Sequence, residues 1–252
     1  MRVYKLILVL FVFIFLDSPL FAQIVSGDGP GNPNAGPTIN FGGDRTTTIG
    51  ILLGNRIFPL ETYSEVMGTP YFLDSFMNCV LTTKKGQKFA YDKMRLNLYT
   101  NQIHYLDKNN TELVVDEGVI TRVVFLKKGV DTIAGFAFSN DYPSINKNSN
   151  STYYLEMNSG KARILEQISK EVGYSSMVTG QVPKKEFKEH KEYFVFNENH
   201  SKMERWRKGK DFVIGFLNDK KEQVEKFIND NNLNCKSTDD VVKVFDYYNS
   251  LK

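Results

Sequence analysis

From about residue 50 to residue 157 the pattern of apolar and polar side chains is mostly that of β-strands. Met94, Leu96 and Leu98 alternate with Arg95, Asn97 and Tyr99, a period of two that predicts a strand with one buried face. Ile103 and Tyr105 repeat the pattern against Gln102, His104 and Leu106. Asp107-Lys108-Asn109-Asn110 is a turn cluster, after which apolar residues resume at 113–115. Residues 119–126 and 132–138 read as further strands, divided by Lys127-Lys128-Gly129. Short strands, polar turns and no long helices between them predict an antiparallel meander rather than a parallel sheet. Such a meander rolls into a partial barrel or packs as a sandwich.

The pattern then changes. Residues 152–157 and 161–165 flank Asn158-Ser159-Gly160, which predicts a hairpin. Gly173, Gly180 and Pro183 interrupt residues 166–190, and the charged stretch 184–191 reads as a solvated helix or loop. Residues 193–196 and 203–207 read as a strand pair. Beyond them the period becomes helical. Asp219-Lys220-Lys221-Glu222 reads as a capping box, followed by Val224, Phe227 and Ile228 on one face. Thr238 is the expected N-cap of a second helix, with Asp239 and Asp240 in its first turn. Val241, Val244, Phe245 and Tyr248 form its apolar face. The expected class is α+β: an antiparallel meander, a hairpin region, and C-terminal helices packed on the sheet. Residues 49–157 are the β-rich region and residues 158–252 the mixed one, joined in one continuous globular body.

The first 48 residues follow neither period. Arg2 and Lys5 precede an unbroken apolar run at residues 6–16, which Asp17, Ser18 and Pro19 end. Leu20-Phe21-Ala22 offers a cleavage point before Gln23, so residues 1–22 have the three-part layout of a secretory signal peptide. The run is about half of the roughly 20 residues a spanning helix needs, so no transmembrane span is expected in the mature chain. Residues 23–48 are rich in Gly, Pro and Asn and read as a disordered tether. The expected location is therefore outside the cytosol, in the periplasm or cell envelope.

Export changes the reading of the two cysteines, Cys79 and Cys235. An oxidising compartment permits a disulfide between them, and two separately buried thiols are the alternative. Asn109, Asn150 and Asn199 lie in Asn-x-Ser/Thr sequons, which a bacterial envelope leaves as ordinary loop residues. The formal net charge is +3 over 252 residues, with Lys and Glu interspersed. So small an excess argues against a dedicated nucleic-acid surface.

Motifs for covalent chemistry are missing. None of the three histidines, His104, His190 and His200, lies in HExxH or at zinc-ligand spacing with a cysteine. The chain has no Cys-x-x-Cys, Gly-x-Ser-x-Gly, P-loop or dinucleotide fingerprint. His104 falls on the polar side of its strand and reads as a surface residue. Asp116-Glu117 reads as a turn and Asp239-Asp240 as a helix start, so no catalytic, cofactor-binding or metal residue is assigned. The sharpest cluster is Lys202-Met203-Glu204-Arg205-Trp206-Arg207-Lys208-Gly209-Lys210, around the only tryptophan. Arg205, Trp206 and Arg207 are the candidate contacts for an anion or partner. The plainer reading is a strand with a solvated basic face and Trp206 at the edge of the core.

Gly68-Thr69-Pro70-Tyr71-Phe72, the strand at 94–99 and the closing Tyr247-Tyr248-Asn249 resemble a loose group of uncharacterised exported proteins of Bacteroidota-type envelopes. The resemblance implies compartment and architecture, and supplies no activity, cofactor or catalytic residue. Together these readings give a non-catalytic binding or structural protein of the envelope. Its partner would be an envelope protein, a glycan or a small apolar ligand. The alternative is a hydrolase with an unrecognised Asp/Glu/His site.

Overall fold

A computed structural model describes residues 53–54, 56–59, 63–126, 135–176 and 182–251. The signal-peptide and tether readings, on residues 1–22 and 23–48, lie outside the described residues. Among the described residues eleven strands form one open sheet, antiparallel at every strand pairing, and three α-helices follow the last strand, so the class is α+β. The strands are β1 (Arg56–Ile57), β2 (Met77–Thr83), β3 (Lys88–Asn97), β4 (Gln102–Leu106), β5 (Glu112–Val114), β6 (Ile120–Leu126), β7 (Gly135–Ser139), β8 (Tyr154–Glu156), β9 (Ala162–Tyr174), β10 (Lys185–Asn197) and β11 (Lys202–Arg205). The helices are α1 (Lys210–Phe216), α2 (Lys221–Asp230) and α3 (Thr238–Ser250). Across the sheet the order is β1-β5-β4-β3-β2-β6-β7-β8-β9-β10-β11. Most neighbours in the sheet are therefore neighbours in sequence, as hairpin connections produce.

The alternation read in the sequence decides which residues face which core. Cys79 and Leu81, Met94 and Leu96, Ile103 and Tyr105, and Val123 and Phe125 point to one side and form the first apolar cluster. A second cluster joins Ala162 and Ile164 of β9 and Val195 of β10 to Val213, Phe216, Val224, Ile228, Val244 and Phe245 of the helices. Leu165, Phe194 and Phe196, one residue out of step, turn to the other face and meet Tyr142 and Tyr154. This half of the β9–β10 hairpin is buried on both sides, and on β10 residues 193–196 accordingly read as a continuous apolar run.

Three expectations need correction. The charged stretch 184–191 is strand, not helix or loop. Lys185 pairs with Tyr174 and the register runs unbroken to Asn197 against Ala162. Both faces of that half of the hairpin are largely exposed, so backbone pairing rather than an apolar stripe sets its conformation. The Asp219–Glu222 capping box does not form, because α2 has no side-chain cap and Asp219 Oδ2 instead accepts from Tyr248 Oη at 2.6 Å. The cap of α3 is Ser237, one residue early, with its Oγ accepting from Asp240 N at 3.2 Å. Of the two readings left open for the cysteines, the structure has the separately buried thiols, with Cys79 in the first cluster and Cys235 in the second, both free.

The end of α3 is latched to the β8–β9 turn. Asn249 Oδ1 accepts from Ala162 N at 2.9 Å, and its Nδ2 donates to Ser159 O and Ala162 O at 2.9 and 2.8 Å. Gly160 lies beneath this amide with φ 109, and a Cβ there would come within 2.5 Å of it. Only glycine meets both the left-handed backbone and the close approach.

Candidate functional site: a basic groove beside Trp206

β11 pairs with β10, and the chain leaving β11 keeps that pairing for one more residue, with Trp206 N donating to Tyr193 O at 2.9 Å. This sets the indole edge-on to the Tyr193 ring, 5.8 Å between centroids. The 234–237 loop is held opposite by one carboxylate. Asp240 Oδ2 accepts from Asn234 N at 3.0 Å and Cys235 N at 3.1 Å, and Gly209 N donates to Cys235 O at 2.9 Å. These bonds leave an open groove of about 460 Å³ between the strands and the start of α3. Lys191, Tyr193, Arg205, Trp206, Lys208 and Lys236 line it, together with one carboxylate, Glu192.

Its charges divide into paired and unpaired. Lys191 Nζ lies 3.1 Å from Glu166 Oε1, which also accepts from Tyr193 Oη at 3.0 Å. The bond to Glu166 raises the Lys191 ammonium above its ordinary pKa, and burial followed by Glu166 raises the Tyr193 phenol. Arg205 Nη2 meets Glu192 Oε1 at 2.9 Å. Lys208 and Lys236 have no ion-pair partner among the described residues. Ser237 and Thr238, at the opening of α3, stand on the same wall, where the positive end of the helix dipole adds to the two free ammonium groups. The groove can therefore take an anion, with Trp206 and Tyr193 offering ring surface beside it.

The structure divides the three candidate contacts. Arg205 and Trp206 line the groove, whereas Arg207 turns away, its guanidinium carbon 5.0 Å from the centre of the Phe212 ring. Sequence reasoning missed Lys236, because nothing local signals that the loop before α3 returns to β11. The basic-Trp run itself was the signal for the other half.

A second polar constellation was also missed. Arg95, His104 and Val114 stand side by side on β3, β4 and β5, opposite the first cluster. Glu112 accepts from Arg95 Nη2 at 2.6 Å and Nε at 3.1 Å and from Tyr71 Oη at 3.1 Å, and its Oε1 lies 2.8 Å from His104 Nδ1. Burial alone raises the Glu112 pKa, but the bonds from His104 and Arg95 outweigh it and leave the carboxyl below its ordinary value. His104, read as a surface residue, is fully buried, its ring 4.6 Å from that of Phe58 and 5.5 Å from that of Tyr71. Phe58 and Tyr71 supply the cover, and no pattern in β4 announces them. Here an acid and an imidazole do meet, as a hydrolase would need, but solvent does not reach the ring.

Among the described residues no group of three or more His, Cys, Asp or Glu is placed to hold a metal ion, and no helix is long and apolar enough to cross a membrane. Compared with known proteins, the chain matches no family model, no curated protein and no solved structure.

Proposed function

We propose that this is an exported, non-catalytic binding protein of the periplasm or cell envelope, and that the groove beside Trp206 takes an anionic ligand. The leader pattern in residues 1–22 and the resemblance to exported envelope proteins support the compartment. The observation that carries the binding role is the convergence of Arg205, Lys208 and Lys236 on an open groove floored by Trp206 and Tyr193. Two of those three cations are unpaired, so an incoming phosphate or carboxylate does not have to displace an internal partner. In the same reading the sheet rolls as a partial barrel around the first apolar cluster. The helices then cover β9 and β10, which leaves the groove at their margin. The hydrolase reading rests on the Glu112–His104 contact, and the burial of His104 counts against it.

The test is calorimetric titration of the mature chain with purified anionic envelope glycan, repeated at rising salt. Arg205→Ala and Lys236→Ala weaken binding and reduce its salt dependence, while Arg207→Ala leaves both unchanged. Equal losses from all three variants would show a diffuse basic surface instead of this groove.

A further inference from the structure

Two cations of the groove beside Trp206 already hold carboxylates, and the two pairs are built differently. Lys191 Nζ meets Glu166 Oε1 at 3.1 Å, and the same oxygen accepts from Tyr193 Oη at 3.0 Å. Glu166 is buried. An anion that drew Lys191 away would strand that carboxylate out of water. It would also loosen the Tyr193 ring that faces Trp206. This pair belongs to the wall.

Arg205 and Glu192 stand at the groove instead. Arg205 lies opposite Phe194, and Glu192 precedes Phe194 by two residues on β10, a diagonal that long side chains span. Arg205 Nη2 is 2.9 Å from Glu192 Oε1, with Arg205 exposed and Glu192 half-buried. Both line the groove. Parted, each returns to water at small cost, since an exposed ion pair contributes little. The carboxylate of Glu192 therefore rests on the guanidinium as the anion of a ligand would. We infer that Glu192 is a built-in competitor, which occupies Arg205 until an arriving anion displaces it and so sets how strongly the groove binds. The inference rests on the anion reading of the groove and adds a control to it. Lys208 and Lys236 meet the ligand directly, whereas Arg205 is gained only by exchange, one charge-assisted contact for another.

The experiment titrates the full chain with glucose 6-phosphate and with glucuronate, followed by calorimetry and Trp206 fluorescence, with glucose as the uncharged blank. Glu192→Gln binds both anions roughly two- to fivefold more tightly than the parent, the gain that releasing an exposed ion pair allows. Glu192→Asp keeps the charge but is one methylene shorter, and it also binds more tightly because the contact with Arg205 is lost. Glu189→Gln removes a carboxylate of the same strand that lies 3.7 Å from Lys191. It gains less, and its gain fades as salt screens it. A parent that binds the anions while Glu192→Gln binds them no better overturns the inference and leaves the groove reading standing. Tightening in Glu192→Gln with none in Glu192→Asp, or an equal gain in Glu189→Gln, overturns it in favour of net charge alone. Binding of neither anion by the parent or by Glu192→Gln removes the groove reading and this inference together.

Discussion

Arg95 and Arg205 each meet a glutamate beside aromatic rings, at 2.6 Å for Glu112 and 2.9 Å for Glu192. Chemically the pairs are alike. Their surroundings are not: the first pair's side chains are 15% and 4% exposed, the second's 62% and 28%. Around Arg95 most donors and acceptors are paired within the protein, with His104 Nε2 buried and left without a partner. The Arg95 guanidinium lies 3.5 Å from the Tyr71 ring centre and donates to Asp74 O at 3.1 Å, and Lys170 Nζ donates to Thr69 O and Tyr71 O at 2.8 and 2.9 Å. That network fastens residues 69–76 onto the sheet. Around Arg205 water fills what the protein does not, and an anion can take the water's place. Burial, more than residue type, separates an ionic group that holds a fold from one that is free to bind.

The comparison breaks most sharply at Glu112. Replacing it with Ala strands Arg95 and His104 in a closed site, and denaturant unfolding should register a loss of about 3–5 kcal/mol. Glu192→Ala, the same change at the exposed pair, should cost within about 1 kcal/mol. Equal costs would erase the distinction. Acid sharpens it further. The folded pKa of Glu112 lies below the unfolded value, which is about 4.3 for a free Glu side chain. Its contribution is therefore complete above the unfolded value and disappears as pH falls through the folded one. Glu112→Gln should flatten the acid limb of the stability profile, and Glu192→Gln should leave it in place.

How much of this was legible in sequence follows the same line. The strands at Met94–Asn97 and Gln102–Leu106 announced themselves because one face is apolar and the other polar. The charged half of β10 did not, because a two-stranded segment exposed on both faces has no pattern to read. His104 was misplaced for a different reason: alternation tells which side of a strand a residue is on, and it cannot tell that Phe58 and Tyr71 return to cover that side. Of the groove, the Arg205-Trp206 half is written in one run, whereas Lys236 arrives from 30 residues onward in the chain. Asn249 marked the closing segment only by resemblance, and its role as a latch on Ala162 and Ser159 appears with the structure.

That latch gives an intermediate effect. Asn249→Ala leaves the Ala162 N–H without its acceptor and should cost about 1–3 kcal/mol in thermal or denaturant unfolding. It should spare the Glu112 network, so its acid limb matches the parent's. The smallest expected changes in stability belong to the groove itself. Lys208→Ala and Lys236→Ala, at exposed and unpaired side chains, should stay within about 0.5 kcal/mol of the parent while weakening anion binding.

One measurement tests the central claim directly, because Trp206 is the only tryptophan in the chain and it lines the groove. Its fluorescence can be followed while anionic envelope glycan is added to the mature protein. A saturable change in intensity or wavelength, absent with the uncharged glycan and lost in the Lys208→Ala/Lys236→Ala double variant, is the expected result. Binding detected by calorimetry with no change at Trp206, or a change that persists in the double variant, would contradict the account.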